Sequence, residues 1–340
     1  MLALALIAAL VGSVACSAPV PATVAPAPAP TPAPATTIGE FRVTRVVDGD
    51  TIRVAGLDSS LRLLGIDTEE TFKHDSERRA FAAGWQAYVV GQGGSSPRPV
   101  KMATPLGMAA KQWAETWFAG VTMVRLERDH PTEIRDRYGR YLAYVLAHKD
   151  GAWLNYNVEA VRAGMSPYFP KYGRSRRYHA AFVAAEAEAK AAQRGIWAPG
   201  ALAYPDYAER EAWWTARGDF IEAFRTAAAG DASYIDIAHD DALARLEAHV
   251  GTQVTVLGTV GDVRGDSPVK VMLSHGLHAD VPLIFFDRDV LAATRLAAWK
   301  GEPIIATGVP TLYENRRTHE THVQIAIDRA SQIRLAPVAP

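Results

Sequence analysis

From residue 41 the chain alternates apolar and polar positions. FRVTRVV (41–47) is rich in β-branched residues and predicts a strand. Asp48-Gly49-Asp50 is a turn signal, and strand character resumes over Thr51–Val54 and again over Leu61–Ile66. The period then changes. Met108–Phe118 predicts a helix with Trp113, Trp117 and Phe118 near one face, followed by strands at Val121–Leu126 and Tyr141–Ala147. Asn155–Ala163 predicts a helix stopped at Gly164, and Tyr178–Arg194 an Ala/Glu-rich helix stopped at Gly195. Strands, a helix, more strands and then helices describe a small barrel flanked by helices. Strict alternation would put Arg62 and Asp67 on opposite faces of their strand, and Gly65 would allow a bulge or twist that brings them together.

Two stretches interrupt this order. Residues 72–106 hold one helical segment and then GQGGSSPRP, which reads either as a lid or as a surface excursion. Residues 206–229 predict a helical connector carrying Trp213 and Trp214. A second β-rich block follows, with strands at QVTVLGTV (253–260), VPLIFF (281–286), EPIIATGVPTLY (302–313) and HVQIAI (322–327) and a helix at Asp289–Trp299. Five or so strands with one helix before the last pair suggest an OB-type barrel, with Gly258 and Gly308 at strand bends and Phe285 and Phe286 in its core. The fold class is therefore α+β, mainly β with helices: a five-stranded OB-like barrel flanked by helices, followed by a second OB-like barrel. The expected boundaries are 39–200 and 233–335, joined by the connector 201–232.

The 340 residues suffice for about two such units, and a hydrophobic fraction of 49% supports packed cores. The N-terminus has a different character. Leu2–Val14 is an apolar run too short to span a bilayer comfortably, and residues 1–16 read as a signal peptide. Ser13-Val14-Ala15-Cys16 resembles a lipoprotein cleavage box, which would place a lipid on Cys16 and anchor the protein to the cell envelope. It departs from that box in having Ser13 where a larger apolar residue is usual, and no Lys or Arg precedes the apolar run. Ordinary cleavage to a secreted or periplasmic soluble product is the alternative. Residues 17–38, rich in Ala and Pro, form an extended tether. Cys16 is the single cysteine, so no intrachain disulfide forms. A monomer is expected.

The net charge of −1 gives no chain-wide basic signature. Residues 39–200, however, carry 23 Lys and Arg against 18 Asp and Glu, a local excess of the sign phosphate requires. Four short pieces within that span carry the candidate chemistry: VVDGDT (46–51), RLLGIDTEE (62–70), RDRYGR (135–140) and AGMSPYF (163–169). Cutting a phosphodiester needs charge neutralisation, a positioned water and a polarised phosphoryl oxygen. Carboxylates with a backbone carbonyl suit a hard cation, and arginines offer phosphate a planar fork that stays protonated. Taken singly, Asp48-Gly49-Asp50 is an ordinary hairpin turn and Glu69-Glu70 a solvated helix start. Their joint occurrence in this order carries the reading.

In the type, order and spacing of these motifs, together with QRGIW (193–197), the span Gly39–Trp197 resembles the staphylococcal nuclease (thermonuclease) family. The resemblance implies a calcium-dependent nuclease acting on DNA, RNA or both by attack of water, leaving 3′-phosphate ends. It implies that Asp50 and Asp67 bind Ca2+ through side chains and Thr68 through its carbonyl, with Asp48 close by. Glu70 would orient or deprotonate the water, and Arg62 and Arg140 would bind phosphate. Tyr138 and Tyr168 would contact the nucleotide. Glu69 stands where the family pattern usually has proline, which leaves open a register with Glu69 as the catalytic carboxylate. The second barrel repeats none of these motifs. Its candidate single-strand contacts are the aromatics Phe285, Phe286 and Tyr313, of which the phenylalanines read as core, with Arg316 and Arg317, on an acidic background. The histidines, His319 and His322 among them, show no metal-ligand spacing. Two rival classes are a catalytically inactive binding module and an envelope scaffold whose second barrel binds protein.

Overall fold

The computed structural model describes residues 36–96, 98–274, 280–314 and 319–337. The signal-peptide and lipid-anchor readings, Cys16, nearly all of the expected tether, Arg316 and Arg317 lie outside them.

The first barrel begins earlier than the alternation indicates. β1 (Thr37–Phe41) and β2 (Val43–Val46) form one run interrupted at Arg42. Thr37 and Ile38, expected at the end of the tether, belong to it: Thr37 faces Glu127, and Ile38 packs against the core. β3 (Thr51–Val54) and β4 (Leu61–Leu63) complete a meander. Next come α1 (Asp75–Ala82), α2 (Trp85–Gly93), α3 (Pro105–Phe118), β5 (Val124–Glu127), β6 (Tyr141–Lys149) and β7 (Ala152–Asn155). α4 (Tyr156–Arg162) and α5 (His179–Ala191) close the unit. The strand order is β1-β5-β6-β4-β3-β2, with β7 on β6 and β4 parallel to β6. The two end strands are halves of one run, so the chain itself joins the ends of the sheet. Ile52, Leu61, Leu126, Leu146, Tyr156 and Phe182 fill the interior.

Local signals explain several boundaries. α3 starts at Pro105, three residues before the expected start, because Thr104 caps it by accepting from the Gly107 N–H (3.2 Å) and Pro105 needs no donor there. α4 is capped by the Asn155 side chain, which accepts from Asn157 N–H (3.0 Å). Predicted strand Leu61–Ile66 stops at Leu63 because Gly65 adopts φ 74°. A Cβ there would lie 2.6 Å from the Phe182 ring.

The insertion is neither an open lid nor a loose excursion. Its α1 and α2 pack Phe72, Phe81, Trp85, Tyr88 and Met102 into an apolar cluster with Tyr204, Tyr207, Trp213 and Trp214. Those last two tryptophans lie on α6 (Tyr207–Ala227), the expected connector. Its C-terminal half turns Ile221 and Phe224 to a different partner, Leu257 and Ile305 of the second barrel. Arg217 sits between the halves, fully buried and ion-paired to Glu302, which also pairs with Arg98 of the insertion (3.1 Å).

The second barrel comprises β8 (Tyr234–Asp236), α7 (Ala242–Ala248), β9 (Val254–Arg264), β10 (Val269–Ser274), β11 (Val281–Phe285), α8 (Arg288–Thr294), β12 (Pro303–Gly308), β13 (Pro310–Glu314), β14 (Thr321–Ala326) and β15 (Ile333–Leu335). Its order is β13-β14-β11-β10-β9-β12-β15, with β8 on β9 and β11 parallel to β14. The two parts of one run are again far apart in the sheet: β13 is at one end, and β12 is next to the other, inside β15. Phe285 enters this core, whereas Phe286, also expected there, is 68% exposed because strand alternation turns it outward.

Candidate active site

The turn between β2 and β3 places Asp48 and Asp50 at the mouth of the first barrel. Gly49 between them permits the approach of the next segment, since a Cβ there would lie 2.6 Å from Thr68 Cγ2. The Gly49 carbonyl accepts from Tyr156 Oη (2.7 Å), which fixes the turn to the core. Arg62, at the centre of β4, is opposite Thr51 and Leu142. The left-handed Gly65 then redirects the chain, and Asp67 comes round to the side of Arg62. The Arg62 guanidinium reaches both carboxylates: it is ion-paired to Asp50 and lies 2.6 Å from Asp67 Oδ1. Asp67 is oriented by Ser166, whose hydroxyl accepts its N–H (2.8 Å), and the Thr68 N–H donates to Asp50 Oδ2 (3.3 Å).

These carboxylates do not titrate alike. Burial raises the Asp48 carboxyl to about 6, with added repulsion from Asp50. Burial acts in the same direction on Asp50, but Arg62 and Lys101 outweigh it and hold that group at about 2. Arg62 is itself raised, the two carboxylates overcoming the cost of its burial.

Glu70 lines the same cavity with its carboxylate 3.0 Å from Lys73 Nζ. Glu69 points the other way. It is 2% exposed and is bonded to the Thr104 hydroxyl, the Tyr204 N–H (2.8 Å) and Tyr207 Oη (2.9 Å). The register with Glu69 as the catalytic carboxylate is thereby excluded, because its oxygens are enclosed by the connector.

Arg140 and Tyr138 come from the turn before β6. Asp136 organises this turn by accepting from the N–H groups of Tyr138 (2.9 Å) and Arg140 (3.0 Å) and from Arg140 Nε (2.7 Å). Arg140 lies over the Tyr138 ring, and both line the cavity, where Arg140 is held by Asp136. Tyr168 is a correction. It is 6% exposed, stacks on Phe182 at 4.8 Å, and its hydroxyl is 3.0 Å from His179 Nδ1. The apolar floor of the barrel takes this ring, and its sequence neighbours Phe169 and Tyr172 line the cavity instead.

The cavity measures about 590 Å³ and has two walls. The first barrel supplies Asp48, Asp50, Arg62, Asp67, Glu70 and Arg140; Thr259, Ser274 and Pro303 belong to the second. Lys101 from the insertion bonds Asp67 Oδ1 at 2.6 Å, and Lys171 stands beside Trp213 and Arg217. Burial lowers the Lys171 ammonium to about 8, with Arg217 adding to the effect. Neither lysine carries a sequence signal, since each is a single cation outside a motif. Among the described residues no three His, Cys, Asp or Glu side chains are gathered into a metal cage. Arg62 bridges the acidic pair, and Lys101 pairs with Asp67.

The family model described as staphylococcal nuclease homologue matches residues 60–199, which include Arg62, Asp67, Thr68, Glu70 and Arg140. An uncharacterized protein of Methanocaldococcus jannaschii is 30% identical over 158 residues, 46% of this chain and 70% of that one. The thermonuclease of Staphylococcus intermedius is 31% identical over 164 residues, 46% of this chain and 75% of that one. The chain belongs to the staphylococcal nuclease family. The thermonuclease of Staphylococcus hyicus, 30% identical over 162 residues, covers the same share of this chain. The second barrel lies beyond the family match, so the two-walled cleft combines a staphylococcal nuclease unit with a partner from outside that span. Glu69, in place of the usual proline, is the residue that ties the nuclease loop to the connector.

Proposed function

We propose that this member of the staphylococcal nuclease family hydrolyses phosphodiester bonds of DNA, RNA or both in the cleft between its barrels, with calcium as cofactor. One observation carries the reading: Asp50, Arg62, Asp67, Glu70 and Arg140, from separate segments, line one cavity. The residue types fit a hard cation, with carboxylates from Asp50 and Asp67, Asp48 on the adjoining turn, and no thiolate or imidazole among them; the Thr68 carbonyl joins them by the family resemblance. Bound there, calcium would polarise a phosphoryl oxygen. Arg62 and Arg140 would hold the phosphate through charge-assisted hydrogen bonds, Arg62 turning from its carboxylates and Arg140 from Asp136. Glu70 would accept the proton of the attacking water, and Tyr138, exposed at the rim, would contact the nucleotide. The expected product ends are 3′-phosphates.

We also read the protein as exported and held at the cell envelope through Cys16, a compartment where calcium is plentiful. Digestion of single- and double-stranded DNA and of RNA, with calcium and with excess chelator, tests the main proposal. Calcium-dependent cleavage is expected. Undiminished cleavage in chelator sinks the metal assignment, and a folded protein that binds nucleic acid but never cuts it is the inactive module.

A further inference from the structure

Lys101 occupies a position that the proposed chemistry does not use. Its ammonium lies 2.6 Å from Asp67 Oδ1, the same oxygen that Arg62 approaches at 2.6 Å. Asp67 is enclosed, with 4% of its side chain exposed, whereas 46% of the Lys101 side chain remains open to solvent. The lysine therefore reaches in from the wet side of the cleft.

The chain around it is fastened at successive residues. The Val100 carbonyl accepts from Arg210 (2.6 Å), and Tyr204 Oη bonds both the N–H (3.2 Å) and the carbonyl (2.9 Å) of Met102. Ala103 accepts from Tyr88 Oη (2.8 Å), and the Thr104 N–H donates to the Glu70 carbonyl (3.0 Å). Three residues earlier, Arg98 grips the carbonyls of Lys300 (3.0 Å) and Ala298 (3.1 Å) in the second barrel. The backbone of Lys101 is thus fixed beside the acidic pair, and only its four-carbon stem is free to move.

We propose that Lys101 is a tethered competitor for the calcium position: calcium must displace its ammonium from Asp67, so the insertion sets the calcium concentration at which the site fills. This rests on the calcium reading above. The physical basis is direct competition, since an ammonium is a compact point charge that uses the same carboxylate lone pairs as a hard cation. Displacement is reversible because the released ammonium passes into water rather than into the protein interior.

Calcium titration calorimetry on the full-length wild type, Lys101→Met and Lys101→Arg tests this without measuring turnover. An ion pair with one open partner predicts calcium binding about three- to tenfold tighter in Lys101→Met. Lys101→Arg, which keeps the charge, should stay at or below wild-type affinity. Wild-type affinity in a folded Lys101→Met overturns the proposal alone. Absence of calcium binding in all three proteins overturns the calcium reading and this proposal with it. Should Lys101→Met fail to fold, a crystal structure of the wild type with bound calcium decides. The Lys101 ammonium should have left Asp67 Oδ1, and an ion pair retained at full calcium occupancy overturns the proposal.

Discussion

The two barrels share one pairing scheme and differ in what they place on it. In each, three strands form a meander, the third runs parallel to a strand later in the chain, and one run is divided between distant positions in the sheet. Each also carries acidic residues at matching joints. In the first barrel Asp48 and Asp50 follow the first run, and Asp67 follows the third strand. In the second, Asp266 follows β9 and Asp287 follows β11. There the correspondence ends. Asp266 has 98% of its side chain exposed and pairs with Arg288 in solvent, and Asp287 caps α8 by accepting from Asp289 N–H (2.7 Å). β11 is apolar where β4 has Arg62. The fold supplies the acidic joints twice, but an arginine between them and enclosure from the solvent make only one of them a candidate site.

The largest expected effect tests whether the second barrel is structural. Glu302→Ala leaves the buried Arg217 guanidinium without its carboxylate, and breaking such a pair costs about 3–5 kcal/mol. Urea unfolding should register that loss while turnover per folded molecule stays at wild-type level. Lost turnover in fully folded protein would extend the chemistry into the second barrel and break the contrast.

Next in size is Arg62→Ala, which should slow cleavage by about 10²-fold or more, as removal of one preorganised charge-stabilising donor does. Arg140→Ala should behave similarly. Steady-state kinetics with intact circular dichroism checks both, and near-normal rates would remove the arginines from the proposed site.

A smaller effect concerns where the nuclease unit ends. Ending it at residue 200, as the sequence suggests, removes Tyr204 and Tyr207 and takes two donors from the buried Glu69. Glu69 then meets water, so the loss comes from the apolar cluster shared with Tyr204, Tyr207, Trp213 and Trp214, and a 36–228 fragment should be more stable than a 36–200 fragment by about 1.5–3 kcal/mol. Equal stabilities would show that α6 is only a connector.

The smallest effect is a pH dependence at the junction of the units. Burial raises Glu133 to about 7, above the 4.5 of an ordinary glutamate. The folded state therefore holds this proton more tightly than the unfolded chain, and stability is lost as pH rises from about 4.5 to 7. His130, three residues earlier and stacked on His239, is lowered to about 4 by burial and by His239, which gives the opposite slope below 6.5. The readout is therefore a difference. Glu133→Gln should gain stability over wild type as pH rises from 4.5 to 7, with a plateau above. A pH-independent difference in melting temperature would place Glu133 in solvent.

Much of the first barrel was legible in the sequence because its signals are short-ranged. Alternation, the turn at Asp48–Asp50, the Gly65 twist and the Asn155 cap depend on backbone sterics and hydrogen bonds within a few residues. The family resemblance carried by the motifs singled out Asp50, Arg62, Asp67, Glu70, Arg140 and Tyr138, and these residues line one cavity. Contacts between distant residues were not legible. Strand period could not say that Tyr168 would be taken by the Phe182 side of the core, although alternation alone separates the buried Phe285 from the exposed Phe286.

The sequence by itself determined the strand and helix types, the two β-rich blocks and the residue types available for phosphate and cation chemistry. The tertiary structure alone decided which groups meet. Glu69 is enclosed by Thr104 and by tyrosines more than 130 positions away, and Lys101 reaches Asp67 from an insertion with no motif of its own. A second barrel with no matching chemistry became the opposite wall of the cleft. Local propensity acts over a turn or a strand pair, whereas burial and ion pairing are settled by the packing of whole units. That packing gave Asp50 a low pKa, kept Glu69 from solvent and left Lys101 beside the acidic pair.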